Sequence, residues 1–266
     1  MQSVYTVQNY KVGEYVLPEL RWGRLVLENP PISILTQSPF PRDRVIVGVM
    51  GSSGKERGLP DYKMDISEEQ KHLGEMIGRI VAERGCVLLN GALWGLPYFP
   101  IRGAHQNGGY TMGISPYKDK DAHIKKNPTK HFDLILYTGL GVDEFPKLSF
   151  VFRDFVNTIY PDLVISLKGK WGTMDECSHI LEQGGIYIPV KGSGGTTDVL
   201  VEAIQQERIV KDTGARVIIP GDSANGLEMA INEGIDEAVR RWQIHGRIEN
   251  RFSPVADRLE QIMKAA

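Results

Sequence analysis

The residue types best suited to chemistry fall in the segment 153–176, RDFVNTIYPDLVISLKGKWGTMDE. Arg153 stands in a run with helical character, a β-branched strand follows, and then come Gly169, Lys170, Gly172, Thr173 and Glu176. This order gathers a cation, backbone N–H donors and a carboxylate around one strand end. Glycine permits close backbone approach, and the helix that follows offers unpaired N–H groups to an anion. The same spacing admits a plain structural role, because Thr173 and Glu176 also read as a capping box with Glu176 returning to its own helix terminus. Arg153 is open to two readings as well. It is either a solvated helix residue or, given its apolar neighbours Phe150, Val151, Phe152, Phe155 and Val156, a buried arginine that needs a partner or a bound anion.

Three further loops are rich in glycine: GSSG at 51–54, GALWG at 91–95 and GSGG at 192–195. Turns between strand and helix favour glycine for packing alone, but four such loops in one chain predict a phosphate cradle. Gly51, Ser52, Ser53, Gly91 and Gly95 join Gly169, Lys170, Gly172 and Thr173 as candidate ligand contacts. No loop ends in the Gly-Lys-Ser/Thr of a nucleoside-triphosphatase P-loop, and none has the full glycine spacing of a dinucleotide fingerprint.

The elements that must position these loops are legible from Arg44 onward. Short apolar runs, RVIVGVM, CVLLN, YTMGISP, LILYTGL, DLVISLKG, IYIPV and RVIIPG, alternate with segments of helical periodicity. Ser67 and Gln70 form a capping box for a helix through about Glu83, which Gly85 can end. Later helices are expected from the second glycine loop to about Asn107, over 147–159, from Thr173 to about Gln183, from Thr196 to about Val210, and from Ala224 to about Arg241. Such alternation predicts an α/β fold, a doubly wound, Rossmann-like parallel sheet with helices on both faces and an N-terminal arm. We divide the chain into an arm over 1–42, in which VYTVQNYKVGEYVL could form a short strand pair, a nucleotide-binding domain over 43–245, and a tail over 246–266. In such sheets ligands sit beyond the carboxyl ends of the strands.

Composition narrows the classes. The chain has 266 residues, 41% hydrophobic and 24% charged, which suits a folded domain with a self-sufficient core. A formal net charge of -2 supplies no global field for nucleic acid or an anionic membrane. The basic cluster 123–130 is short and lacks interleaved aromatics, so nucleic-acid binding is not expected. Cys86 and Cys177 form no spaced framework, so neither a disulfide nor zinc ligation is implied. The N-terminal segment lacks a basic stretch followed by an apolar run, and no stretch approaches the roughly 20 apolar residues of a membrane span. A cytoplasmic protein without a membrane partner is expected.

The order of these motifs resembles the Lonely Guy family and its relatives, the molybdenum-cofactor carrier proteins and Rossmann-fold nucleotide-binding proteins. The resemblance rests on VMGSSG, on NGALWGLPYFPIRGAHQNGGYTMGISP, and on Arg153, Asp162 and LKGKWGTMDE. It covers roughly 44–240, and the last motif is its specific part. Departures are Lys168-Gly169-Lys170 in place of PGG, Asn90, Ala92 and Leu93 in place of loop glycines, Leu96-Pro97-Tyr98 in place of LMG, and Asp154 where a basic residue often follows the arginine. The resemblance implies a homo-oligomer, usually a dimer, that binds a nucleotide or another phosphorylated small molecule. It further implies hydrolysis of the N-glycosidic bond of a nucleoside 5′-monophosphate, with Arg153 and Glu176 catalytic, no cofactor required and no metal site assigned. The alternative is a non-catalytic carrier of molybdenum cofactor or a similar phosphorylated ligand; whether that cofactor or a divalent metal binds is left open. Asp143 and Glu144 are candidate ribose or metal contacts, or ordinary surface-loop residues.

Overall fold

A computed structural model describes residues 14–16, 44–53, 66–138, 142–143, 146–206 and 213–245. The strands are β1 (Glu14–Val16), β2 (Ile46–Met50), β3 (Val87–Asn90), β4 (Tyr110–Ser115), β5 (Leu134–Tyr137), β6 (Leu163–Ser166), β7 (Ile186–Pro189) and β8 (Arg216–Val217). The helices are α1 (Glu68–Glu83), α2 (Tyr98–Gln106), α3 (Lys120–Ile124), α4 (Pro146–Ile159), α5 (Trp171–Glu182), α6 (Thr196–Gln205) and α7 (Ala224–His245). The strands form one parallel sheet in the order β1-β5-β4-β3-β2-β6-β7-β8.

Both faces of the sheet are covered, which is why its strands read as continuous apolar runs. Val47, Val49, Leu88, Leu163, Ile165, Ile186 and Ile188 face α1, α2 and α7 through Ile77, Ile80, Ile101, Leu227 and Ile231. The alternate residues face the other way. Ile46, Val87, Leu89, Met112 and Leu134 pack on Val156 of α4 and on Tyr160 just beyond it, while Met50, Val164 and Tyr187 pack on Cys177 and Ile180 of α5 and Leu200 of α6. The chain runs outward from β2 through β3, β4 and β5, then returns to lay β6, β7 and β8 on the opposite side. The carboxyl ends of β2 and β6 therefore flank the switch point, where open α/β sheets take their ligands.

Local signals account for most element ends. The Ser67 capping box forms as expected, with Gln70 N donating to Ser67 Oγ at 3.2 Å and Ser67 N donating to Gln70 Oε1 at 3.1 Å. In contrast, α5 begins at Trp171 with Lys170 as its N-cap, so Thr173 lies inside the first turn and the Thr173–Glu176 capping box does not form. The basic cluster 123–130 opens on a core residue: His123 is fully buried in α3, with Nδ1 2.8 Å from Ser115 Oγ and Nε2 3.1 Å from the Pro128 carbonyl. Glu14–Val16 lies parallel to β5; the short strand pair that the segment VYTVQNYKVGEYVL could form falls mostly outside the described residues, as do the rest of the arm and the tail. So does the expected end of the helix at Val210. Among the described residues no helix is long and apolar enough to cross a membrane. Cys86 and Cys177 are both free and buried.

Candidate functional site

The loop after β2 is held from both sides. Ser52 N donates to the Lys168 carbonyl at 2.8 Å, and Leu96 N donates to the Ser52 carbonyl at 3.1 Å. Ser53 and Gly95 form an isolated antiparallel bridge, and a β-carbon on Gly95 would come within 2.5 Å of the Ser52 carbonyl oxygen. The GALWG loop thus uses its last glycine to let the first loop pass. Gly91 serves the site differently: a β-carbon there would overlap the guanidinium of Arg153.

Arg153, Asp154 and Asn157 lie on one side of α4 and meet Glu176 of α5. Arg153 Nη2 is 2.8 Å from Asp154 Oδ1, and Nη1 is 3.6 Å from Glu176 Oε1. Asn157 Nδ2 donates to Glu176 Oε1 at 2.8 Å and also lies 3.0 Å from Met50 Sδ. Glu176 is 3% exposed. Burial raises its carboxyl to about 8, reinforced by the negative charge of Asp154 and opposed by Arg153 and by the Asn157 hydrogen bond. Asp154 is also raised by burial, against the pull of Arg153. Two carboxyls thus share one guanidinium away from water.

The turn into α5 continues the lining. Thr173 packs against Gly169, where a β-carbon would overlap its side chain, while a β-carbon on Gly172 would meet only Asp154 Oδ2, at 3.4 Å. No side chain caps α5, and Met174 N is the first to find a helical carbonyl, that of Lys170, at 3.0 Å. The N–H groups of Trp171, Gly172 and Thr173 therefore precede the helical ladder and are available to an anion. Gly51, Ser52, Ser53, Arg153, Asp154, Lys170, Gly172, Thr173 and Glu176 together line a cleft of about 80 Å³.

All eight lining residues besides Asp154 were expected as site residues; Gly91, Gly95 and Gly169 instead stand behind the wall and shape it. The fourth glycine loop turns N–H groups onto its own helix. Gly192 N and Gly194 N donate to Asp198 Oδ1 and Oδ2 at 2.8 and 3.1 Å, and Ser193 N donates to the Val190 carbonyl at 3.2 Å, so these three donors are already taken. Asp143 is exposed and lies 3.5 Å from Lys126, and Glu144 lies outside the described residues. Sequence reasoning marked Asp154 only as a departure and overlooked Asn157; their signal was the helical spacing 153, 154, 157, which puts all three on neighbouring positions of one helix face. Among the described residues no group of three or more His, Cys, Asp or Glu is placed to hold a metal ion.

This fold, with its switch-point cleft, defines an α/β protein of the Rossmann-like class. The chain belongs to the SLOG cluster4 family, whose model matches residues 44–230. It is 28% identical over 121 residues to an uncharacterized protein of Archaeoglobus fulgidus, spanning 45% of this chain and 70% of that one. The structure of TM1055 superposes with a TM-score of 0.57 at 24% identity, covering 71% of this chain and 99% of that chain. A molybdenum cofactor binding protein from Rippkaea orientalis superposes with a TM-score of 0.51 at 21% identity, over 73% of this chain and 98% of its own. The Moco carrier protein from Chlamydomonas reinhardtii gives a TM-score of 0.52 at 21% identity, over 73% and 99%. These likenesses bear out the Rossmann-like architecture and the resemblance drawn from the motifs.

Proposed function

We propose that the cleft binds a nucleoside 5′-monophosphate with its phosphate on the 169–173 turn, and that Glu176 and Arg153 hydrolyse its N-glycosidic bond. The observation that carries this reading is a buried carboxyl, Glu176, which lines one narrow cleft together with the uncapped N-terminus of its own helix, α5. The ordered donors suit phosphate, and Lys170 adds a cation at the rim. The described walls enclose far less than the roughly 300 Å³ of a typical small-molecule site, so they suit the phosphate and sugar end of the ligand.

The chemistry follows from the state of Glu176. Raised to about 8, it holds a proton near neutral pH and can pass it to the departing base as the bond from C1′ to nitrogen breaks. The carboxylate left behind faces an oxocarbenium-like sugar and stabilises its charge. Water then adds to C1′ and returns a proton to Glu176, leaving free base and ribose 5-phosphate. Arg153 balances the carboxylate through this cycle, and Asn157 orients it.

The test is a panel of nucleoside 5′-monophosphates incubated with the protein, with free base followed by chromatography. Equal amounts of base and ribose 5-phosphate are expected from at least one of them. Tight binding without base release from any would leave a carrier, with Lys170 and the same turn holding the phosphate of a ligand such as the molybdenum cofactor that two of the fold relatives are described as binding or carrying.

A further inference from the structure

The hydrolytic scheme leaves Asp154 without a task, yet it lines the cleft. Its side chain is 10% exposed, and its Oδ2 lies near Gly172 at the first turn of α5. That turn is where the proposed function puts phosphate, and the present inference rests on that placement. Asp154 Oδ1 is ion-paired with Arg153 but accepts no hydrogen bond, and Arg153 Nε and Asn157 Oδ1 are likewise buried without hydrogen-bond partners. The cleft is thus built but not saturated.

Charge decides what can enter. Asp154 is faced by Arg153 on its own helix and by Asp175, Glu176 and His179 of α5. Glu176 is faced by Arg153, Asp154 and Asn157, while β2 contributes only the thioether of Met50. Lys170 is the other cation among the lining residues. With both carboxyls ionised, Arg153 leaves one buried negative charge over, since Lys170 is exposed and screened by solvent, and a doubly charged anion on the turn would meet that charge at short range in a poorly solvated cleft. A proton on the carboxyl pair removes that charge.

We propose that Asp154 is a specificity-determining residue, which makes the cleft admit an anionic ligand only together with a proton shared between Asp154 and Glu176. Below about pH 8, where Glu176 keeps its proton in the empty cleft, the anion finds that proton in place. At higher pH the proton must come from solvent, and affinity falls.

Sulfate is the probe, because it stays doubly charged over the whole range and any pH dependence belongs to the protein. Titration calorimetry of the full chain between about pH 6 and about pH 9, in two buffers of different ionisation enthalpy, should show affinity falling towards tenfold per pH unit at the alkaline end, with up to about one proton taken up per sulfate. Asp154→Asn should bind sulfate more tightly at about pH 9 and show a flatter profile there. The alkaline limb is the one compared between the two proteins. A wild-type profile that is flat above about pH 7, with no proton uptake, overturns the proposal without recourse to any variant. So does an Asp154→Asn protein that melts like wild type and keeps the wild-type slope. Failure of both proteins to bind sulfate or a nucleoside monophosphate at any pH would overturn the anion seat itself, and the proposed function with it.

Discussion

The guanidinium of Arg153 occupies the space that a β-carbon on Gly91 would need. The second glycine loop therefore contributes to the site by leaving room for an arginine from another helix, without lining the cleft itself. Gly91→Ala should force Arg153 away from Asp154 and Glu176. Loss of one charge-assisted contact predicts roughly 10- to 100-fold weaker binding of nucleoside monophosphate. Because both changes act on one contact, adding Arg153→Ala to the alanine variant should cost much less than Arg153→Ala alone, which a double-mutant cycle by calorimetry would measure.

Arg153→Ala should also destabilise the protein, and more so at alkaline pH. The sequence left open whether this arginine had a protein partner; it has two, at 2.8 and 3.6 Å. Breaking a buried pair costs about 3–5 kcal/mol when the remaining charge stays buried. Here the orphaned carboxyls can take up protons at low pH, which relieves part of the cost. Melting temperatures of variant and wild type should therefore lie closer at about pH 5 than at about pH 8. Equal differences at both would mean that the carboxyls do not depend on Arg153.

The fold was legible because both sheet faces are covered and each strand declares itself as an apolar run such as Val87–Asn90 or Leu163–Ser166. Boundaries were less so. The helix was expected at Thr173 because Thr is a good N-cap, but Gly169 leaves space for the Thr173 side chain and the helix starts two residues earlier, at Trp171. Arg153 and Glu176 were visible as residue types in order. Their gathering around one strand end was expected too, but their direct ion pair was not, since it depends on α4 and α5 packing side by side on one sheet face. Asn157 carried no motif beyond its helical spacing from Arg153, and its hydrogen bond to Glu176 is what identifies it.

The glycine loop at 192–195 turns N–H groups onto its own helix, and this too can be tested. Asp198 accepts from Gly192 N and Gly194 N, so the loop spends its donors on its own helix. Asp198→Ala should cost about 1–2 kcal/mol, a fall of a few degrees in melting temperature for a chain of this size. Affinity for nucleoside monophosphate should stay within about twofold of wild type, well under the 1.4 kcal/mol of a tenfold change. A large loss of affinity without loss of stability would return this loop to the site.

Glu176→Gln separates the structural and catalytic roles of the buried carboxyl. Its folded-state pKa is raised from 4.5 to about 8, so between those values the native protein holds a proton that the unfolded chain has released. The contribution to stability is then complete below about pH 4.5 and is lost as pH rises towards about 8. Glutamine resembles the protonated acid, can still accept from Asn157, and has no proton to lose. Thermal melts should thus bring variant and wild type close together near pH 5 and leave the variant the more stable near pH 8. Activity should move the other way. An amide can neither pass a proton to the leaving base nor stabilise the cationic sugar, and loss of such a group costs about a hundredfold or more in turnover. A glutamine variant that releases base at the wild-type rate would remove Glu176 from the chemistry, even if its melting curve follows the predicted course.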